Sequence, residues 1–209
     1  MRTFLLLLIF FCYSILAEGI KYTGEDGTVF TNGRYGFTLQ SLDENTGVQY
    51  TEYSLDKDTE YKPATGTIYI STAGPHNLFF RGIDKVENKE IFKHYHIIVD
   101  LEAPVLLTQL KGEKKQYKGR LFYSPSVSLY ITAKDYGSGL EGIYMSINGG
   151  EYKKVTQDIN EFKTSGDYTI NYYAVDKVGN KSSEKKLLFS VQTDIIPPDS
   201  GIKLNRNKK

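Results

Sequence analysis

The chain contains the same segment twice, at a fixed spacing. Residues 84–88 read DKVEN and residues 176–180 read DKVGN, so the offset from position 84 to position 176 is 92 residues. The same offset holds without an insertion from about residue 27 to about residue 99, and it relates these pairs: Gly27 and Gly119, Phe30 and Phe122, Asp43 and Asp135, Ser54 and Ser146, Thr72 and Thr164, Gly74 and Gly166, Val99 and Val191. A repeat of roughly 90 residues can hold its own hydrophobic core, so the sequence predicts two tandem domains rather than a thin solenoid.

The first 17 residues have the pattern of a secretory signal peptide. Arg2 precedes an apolar run over residues 4–12, and Ala17 is a small residue at a suitable cleavage position. The run is too short to span a bilayer comfortably. We therefore expect an exported protein without a transmembrane helix in the mature chain. Lipidation at Cys12 is a minority alternative, because the bulky Phe11 precedes it where lipoprotein cleavage sites have a small residue.

Charge and cysteine content narrow the choice of compartment and partner. The whole chain has 26 Lys and Arg against 25 Asp and Glu, and loss of Arg2 with the signal peptide leaves the mature chain neutral. A neutral chain offers no case for nucleic-acid binding. The only cysteine is Cys12, so the mature chain has no disulfide. Export without disulfides points to a bacterial protein. We expect it either in the periplasm or at the cell surface and outer membrane.

Short alternating segments predict an all-β fold. Residues 126–133 alternate between polar and apolar side chains, and residues 142–147 do the same before an Asn-Gly-Gly turn. We place the strands of the first copy near these ranges, and those of the second copy 92 residues later: 28–31, 35–41, 48–55, 67–71, 76–83 and 91–99. This spacing predicts two tandem Ig-like β-sandwich domains, with these inward side chains: Leu39, Leu55, Leu78, Phe80, Ile97, Val99, Ile131, Ile147, Ile170, Tyr172, Phe189 and Val191.

The domain limits follow from two proline-containing junctions. After the signal peptide at 1–17, the first sandwich should cover 18–103 and the second 104–197, with a basic flexible tail at 198–209. Asp-Leu-Glu-Ala-Pro at 100–104 and Asp-Ile-Ile-Pro-Pro at 194–198 each follow a last strand.

A longer sequence pattern is present in both copies. It consists of Asp-x-x-Ser/Thr-Gly, a strand ending in Ser-Leu-Asp or Ser-Ile-Asn, Thr-x-Gly, and then the motif at 84–88 or 176–180. The pattern resembles the bacterial extracellular Ig-like repeats of leptospiral outer-membrane surface proteins of the OmpL type. The resemblance implies a surface-exposed protein that adheres to host proteins, and the repeat of that group has been labelled a β-barrel domain.

Several acidic residues lie in loops that we expect at the same end of an Ig-like sandwich. Asp135 and the motif at 176–180 lie in two such loops of the second copy, and the linker carries Asp100 and Glu102. Hard oxygen ligands of this kind suit Ca²⁺, so Asp100, Glu102, Asp135, Asp176 and Asn180 form a candidate calcium site, and calcium is the one cofactor the sequence suggests. The competing interpretation, which we favour, is structural: Asp84 and Asp176 accept backbone N–H bonds in tight turns, with Asn88 and Asn180 in left-handed positions.

Other chemistry finds little support in the sequence. His94 and His96 share one face of a strand as half of a zinc site would require, but the second copy replaces them with Lys186 and Leu188, so exposed strand residues are expected. The mature chain has no cysteine nucleophile, and a Ser–His pair would have to form within the first copy. The sequence therefore predicts no enzyme.

Tyrosine is the other candidate for binding. The chain has 17 tyrosines and no tryptophan, and exposed tyrosine is good interface material. Seven are candidates: Tyr50, Tyr53, Tyr61, Tyr69, Tyr144, Tyr152 and Tyr173. The predicted function is non-enzymatic binding of a protein ligand, such as a host or matrix protein, at the cell envelope. The alternatives are a periplasmic accessory or spacer module of an envelope complex or carbohydrate-active partner and, less favoured, an integral outer-membrane barrel.

Overall fold

The computed structural model describes residues 20–156, 159–193 and 201, and this part of the chain consists of strands, turns and loops without an α-helix. The chain separates into two compact units, with the boundary between Leu101 and Glu102. The predicted signal peptide lies outside the described residues, as does the predicted tail apart from Gly201. Within the described ranges, no helix has the length and apolar character needed to cross a membrane.

The described part of the first unit has eight strands in two sheets: β1 (Lys21–Thr23), β2 (Val29–Thr31), β3 (Gly36–Phe37), β4 (Val48–Leu55), β5 (Lys62–Pro63), β6 (Ile68–Tyr69), β7 (Gly74–Asp84) and β8 (Lys93–Val99). Six strands form one sheet in the order β1-β2-β8-β7-β4-β5, and β3 pairs with β6 in the other. The β2–β8 pair is parallel and the other pairs are antiparallel.

Nine strands lie in the described residues of the second unit: β9 (Val105–Lys111), β10 (Lys114–Tyr117), β11 (Arg120–Tyr123), β12 (Val127–Lys134), β13 (Leu140–Ile147), β14 (Lys153–Lys154), β15 (Ile159–Phe162), β16 (Gly166–Asp176) and β17 (Lys185–Val191). A six-stranded sheet has the order β10-β11-β17-β16-β13-β14, and a three-stranded sheet has the order β15-β12-β9.

Apart from β9, the described strands of the two units share one topology and one register. The β3–β6 pair joins Gly36 to Tyr69, and the β12–β15 pair joins Ser128 to Glu161, which are the positions 92 residues later. A register shift near the start of β4 recurs at the start of β13. The prediction of an all-β protein with two tandem Ig-like sandwiches is confirmed.

The core of each unit lies between its two sheets. Leu78, Ile97 and Val99 are buried in the first unit, and Ile131, Ile170 and Val191 are buried in the second. Most of the predicted inward side chains are buried in this way, including Phe80, Tyr172 and Phe189, while Leu39 packs against the first core and stays half-buried.

Leu55 and Ile147 lie on the core face as predicted, since they pair with the buried Leu78 and Ile170, but they end their strands and stay 36% and 40% exposed. Their neighbours Ser54 and Ser146 lie on the outer face, because side chains alternate along a strand, and each is nevertheless only 2% exposed. The Ser146 hydroxyl donates to the Gly150 carbonyl at 2.6 Å, and the Ser54 hydroxyl donates to the Lys57 carbonyl.

Candidate binding surfaces and acidic turns

The acidic turn of the first unit is organised by Asp84, at the end of β7. One carboxylate oxygen accepts N–H bonds from Val86 at 2.9 Å and Asn88 at 2.8 Å, and the other accepts the Asn88 side-chain amide at 2.8 Å. The Thr46 hydroxyl adds a further bond at 3.1 Å. Burial raises the pKa of Asp84, but these hydrogen bonds, led by those from Asn88, outweigh it and hold the pKa below its ordinary value.

The second unit repeats this turn around Asp176, which is 1% exposed. Its carboxylate accepts the N–H groups of Val178 at 3.0 Å and Asn180 at 2.7 Å, and the Asn180 side-chain amide at 2.7 Å. This is the bonding that the structural interpretation of the motif requires.

The expected backbone geometry of the turn was wrong by one residue. The left-handed positions are Glu87, with φ of 68°, and Gly179, with φ of 86°, rather than Asn88 and Asn180. The reversal occurs there because the N–H of Asn88 or Asn180 must turn back toward the aspartate that precedes it by four residues. Glu87 adopts the glycine-like conformation despite its side chain.

Some of the candidate calcium ligands of the second unit lie close to one another. Carboxylate oxygens of Asp135 and Asp176 lie within 4.8 Å of each other, and the Asn180 amide donates to the Glu102 carbonyl at 3.3 Å. Asp135 accepts N–H bonds from Gly137 at 3.0 Å and Gly139 at 2.7 Å. The N–H donors at both carboxylates occupy oxygen lone pairs that a cation would use.

Asp100 belongs to the first unit, where it is 5% exposed and its N–H donates to the Thr31 carbonyl at 2.8 Å. The calcium site over Asp100, Glu102, Asp135, Asp176 and Asn180 stays a prediction, with an unchanged melting temperature on calcium addition as the result that would reject it.

The outer face of the large sheet in the second unit carries a cluster of aromatic rings. Tyr144 on β13 stacks on Tyr173 of β16 with ring centroids 5.4 Å apart, and Tyr152 lies 5.1 Å from Tyr173. The Lys181 ammonium sits 3.6 Å from the centroid of the Tyr173 ring. We call these four residues the tyrosine surface. A hydrogen bond to the Glu184 carboxylate raises the pKa of Tyr152 to about 12, so the phenol stays protonated and donates to that carboxylate.

The first unit builds the same sheet face differently. Glu52 and Arg81 occupy the positions of Tyr144 and Tyr173, and they form an ion pair at 2.6 Å, with the Arg81 guanidinium 4.4 Å from the Tyr61 ring centroid. Farther along the same face, Phe79 contacts Phe92 and His94, each with centroids 5.8 Å apart. We call this second group, with Phe92 42% exposed, the phenylalanine surface.

The histidines divide into two environments. His94 and His96 are exposed on the outer face, and His96 lies 3.3 Å from the Asn77 side-chain oxygen. His76 is 8% exposed and packs inward. Sequence reasoning found the pair on one face but missed the inward His76, because its partners Asp56 and Thr72 lie 20 and 4 residues away and no local pattern marks them.

The seven tyrosine candidates also divide by burial. Tyr50, Tyr69 and Tyr152 are 38%, 64% and 39% exposed, while Tyr53, Tyr61, Tyr144 and Tyr173 are half-buried. No sequence pattern marked Phe79 and Phe92 as a pair on the outer face, since an alternating strand looks the same whichever aromatic residue faces outward.

Comparisons with known proteins add a fold-level likeness only. No family model matches the chain, and no curated protein matches it. Among solved structures, the chain is similar to the fibronectin(III)-like modules of Clostridium thermocellum CbhA, with 16% identity and a TM-score of 0.42 over 79% of this chain and 88% of that one.

Proposed function

We propose that the protein is a non-enzymatic, exported envelope or cell-surface protein that binds a protein partner through the outer faces of its large sheets. The observation that carries this proposal is the tyrosine surface, where Tyr144, Tyr152 and Tyr173 lie on a rigid sheet with Lys181 beside them. Tyrosine and cationic side chains held on a preordered backbone are the composition of protein-binding hot spots.

Divergence between the copies supports binding over plain packing. The turns around Asp84 and Asp176 keep the same bonds in both units, so the fold requires them. The outer faces differ, with an ion pair at Glu52 and Arg81 where the second unit stacks two tyrosines. A face that the fold does not constrain is the one on which partner recognition can vary. We further propose that the partner is a host or matrix protein, in keeping with the resemblance of the repeats to adhesive surface proteins.

The test measures binding of the mature chain to immobilised fibronectin, laminin and collagen. We expect binding to at least one of them, and Tyr144→Ser/Tyr173→Ser should weaken it by about tenfold or more, since loss of an aromatic hot spot costs about 1–4 kcal/mol. The matched control is Tyr136→Ser, which removes a tyrosine that is 73% exposed and lies outside the tyrosine surface. If no matrix protein binds, or if the control weakens binding equally, the adhesive role is rejected and the spacer alternative is favoured.

A further inference from the structure

In the described part of the chain, the small sheet of the first unit has one edge without a paired strand. In the second unit, β12 lies between β15 and β9, and its register with β9 runs from Ser128 to Lys134. In the first unit, β3 pairs with β6 on one side, and the described residues include no strand on the other. The segment equivalent to β12 would be 35–42, yet only Gly36–Phe37 is a strand. A missing neighbour explains the short strand, because a sheet edge without a partner leaves half of its backbone groups unpaired.

The core of the first unit is open on the same side. Leu129 and Ile131 of β12 are fully buried, whereas their equivalents Phe37 and Leu39 are only half-buried. A groove of about 330 Å³ opens between the sheets beside them, and it reaches Val29, Leu78 and Tyr95. Tyr95 is 51% exposed, although its equivalent Leu187 packs against the second core.

In the second unit, strand β9 occupies the position that corresponds to the unpaired edge of β3. Strand β9 alternates, with Leu106, Thr108 and Leu110 turned inward and the residues between them exposed. Leu106 is 4% exposed within the core, and Leu110 packs against it. The element that would complete the described part of this sheet is therefore one extended strand with apolar side chains at most of its inward positions.

The residues that precede the first unit in its own chain fit this place poorly. At the repeat offset, β9 corresponds to positions 13–19, and the predicted signal peptidase cut after Ala17 removes most of them. Even in an uncut chain, Ser14 and Glu18 would take the places of Leu106 and Leu110. A carboxylate at a core position is costly unless it is paired.

A second segment of the chain fits much better. The junction Asp-Leu-Glu-Ala-Pro at 100–104 leads into β9, and Asp-Ile-Ile-Pro-Pro at 194–198 leads into Asp-Ser-Gly-Ile-Lys-Leu-Asn at 199–205. Aligned on the prolines, Ser200, Ile202 and Leu204 take the places of the three inward side chains of β9. The segment thus repeats β9 in both its junction and its alternation.

We propose that residues 199–205 of one copy of this chain add to β3 in the first unit of a second copy, and so complete its sandwich. Backbone hydrogen bonds along the open edge would hold the strand, and Ile202 and Leu204 would fill the groove over Phe37 and Leu39. Because the donor and acceptor surfaces differ, the contact is head-to-tail and extends to rings or chains of molecules. The function proposed above would then be multivalent, which strengthens binding to a partner presented at high density.

The register of β9 on β12 gives a direct test. Gln109 lies opposite Tyr130, so Lys203 of the donor should lie opposite Thr38 of the acceptor, whose side chain is exposed. The mature chain has no native cysteine. The variant Thr38→Cys/Lys203→Cys should therefore form intermolecular disulfides and give a ladder of oligomers on a non-reducing gel. The control Thr38→Cys/Ile202→Cys places the second thiol on the opposite face and should give no ladder.

A second pair of variants tests the apolar contact through the molecular mass of the protein in solution, which reports its oligomeric state. The unmodified mature chain should show oligomers that grow with protein concentration, and Ile202→Lys/Leu204→Lys should abolish them. Gly201→Lys/Asn205→Lys adds the same charge on outward positions and should retain them. In the Thr38→Cys/Lys203→Cys variant, a monomer with an intramolecular disulfide would mean that the strand adds to the first unit of its own chain, and would overturn the assignment to a second copy. Equal loss of oligomers in both lysine variants, or a monomer at every concentration, would overturn the added strand.

Discussion

His76, which is buried, and Asp56, which is exposed, form an ionisable pair that the second unit replaces with neutral groups. The His76 Nδ1 lies 2.9 Å from the Asp56 carboxylate, and its Nε2 lies 2.8 Å from the Thr72 carbonyl. At the equivalent positions, the Tyr168 hydroxyl donates to the Thr164 carbonyl at 2.9 Å. The same link between strand and loop is therefore pH-dependent in one unit and neutral in the other.

The first prediction concerns this pH dependence. Burial lowers the pKa of His76, but the bonds to Asp56 and Thr72 outweigh it and leave the pKa above its ordinary 6.5. Burial likewise raises the pKa of Asp56, and the bonds from His76 and the Asn77 N–H bring it below 3.8. A histidine whose pKa is raised on folding stabilises the fold fully below its unfolded-state pKa of 6.5, and this stabilisation is lost as the pH rises through its folded-state pKa. An aspartate whose pKa is lowered on folding stabilises the fold above its unfolded-state pKa of 3.8, and this stabilisation is lost as the pH falls through its folded-state pKa.

The pair should therefore stabilise the first unit most between about pH 4 and about pH 6.5. We expect its melting temperature to fall between about pH 6 and about pH 8, and His76→Tyr/Asp56→Asn should flatten that dependence. Thermal unfolding followed by circular dichroism measures the shift, and the histidine ring proton resonances give the pKa directly. A wild-type melting curve that is identical at both pH values would reject the role of the pair.

The second prediction concerns the left-handed residue of the acidic turns. Glu87 has φ of 68° where the second unit has Gly179 at 86°, so a non-glycine residue carries the cost of that conformation. Glu87→Gly should stabilise the first unit by about 0.5–1 kcal/mol after the extra unfolded-state entropy of glycine is subtracted. The reverse change Gly179→Glu should destabilise the second unit by a similar amount. Urea denaturation distinguishes the two signs, and stabilisation by both changes would contradict the argument.

The third prediction concerns the buried carboxylate of Asp176. Asp176→Ala removes the acceptor for two backbone N–H groups and for the Asn180 amide, all within a turn that excludes most solvent. Leaving such donors unsatisfied should cost the second unit about 1–3 kcal/mol. Asp84→Ala is the matched change in the first unit, and it should cost less because its turn is more exposed. Equal losses measured by chemical denaturation would show that burial does not decide the contribution.

The fourth prediction separates the structural role of Asp176 from calcium binding. Addition of calcium should leave the melting temperature of the mature chain unchanged, because backbone N–H groups already bond to Asp135 and Asp176. A rise that disappears in Asp135→Asn would instead establish the candidate metal site.

The sequence was informative where the two copies agree. Strand positions in both units follow the prediction closely because alternation, turn residues and the repeat offset all point to the same strands. The predicted ranges did not include β1, β5, β9, β10 or β14, and the segment predicted at 35–41 is a strand only over Gly36–Phe37. Residues 36–41 alternate in sequence as β12 does, but the described part of the first unit has no counterpart of the neighbouring strand that keeps β12 extended.

The surfaces were harder to predict than the strands. Leu55 and Ile147 lie on the core face as predicted, yet they stay 36% and 40% exposed because they are the last residues of their strands. The stacking of Tyr144 on Tyr173 depends on the pairing of β13 with β16, and the positions are 29 residues apart in sequence. A contact set by strand pairing carries no local signature.

The most direct test of the proposed surface role is protease accessibility on intact cells that express the full chain with its signal peptide. If the protein binds partners outside the cell, externally added protease should digest it while a periplasmic marker stays intact. Protection from the protease in intact cells, with digestion after the outer membrane is permeabilised, would place the protein in the periplasm and contradict the surface-binding function.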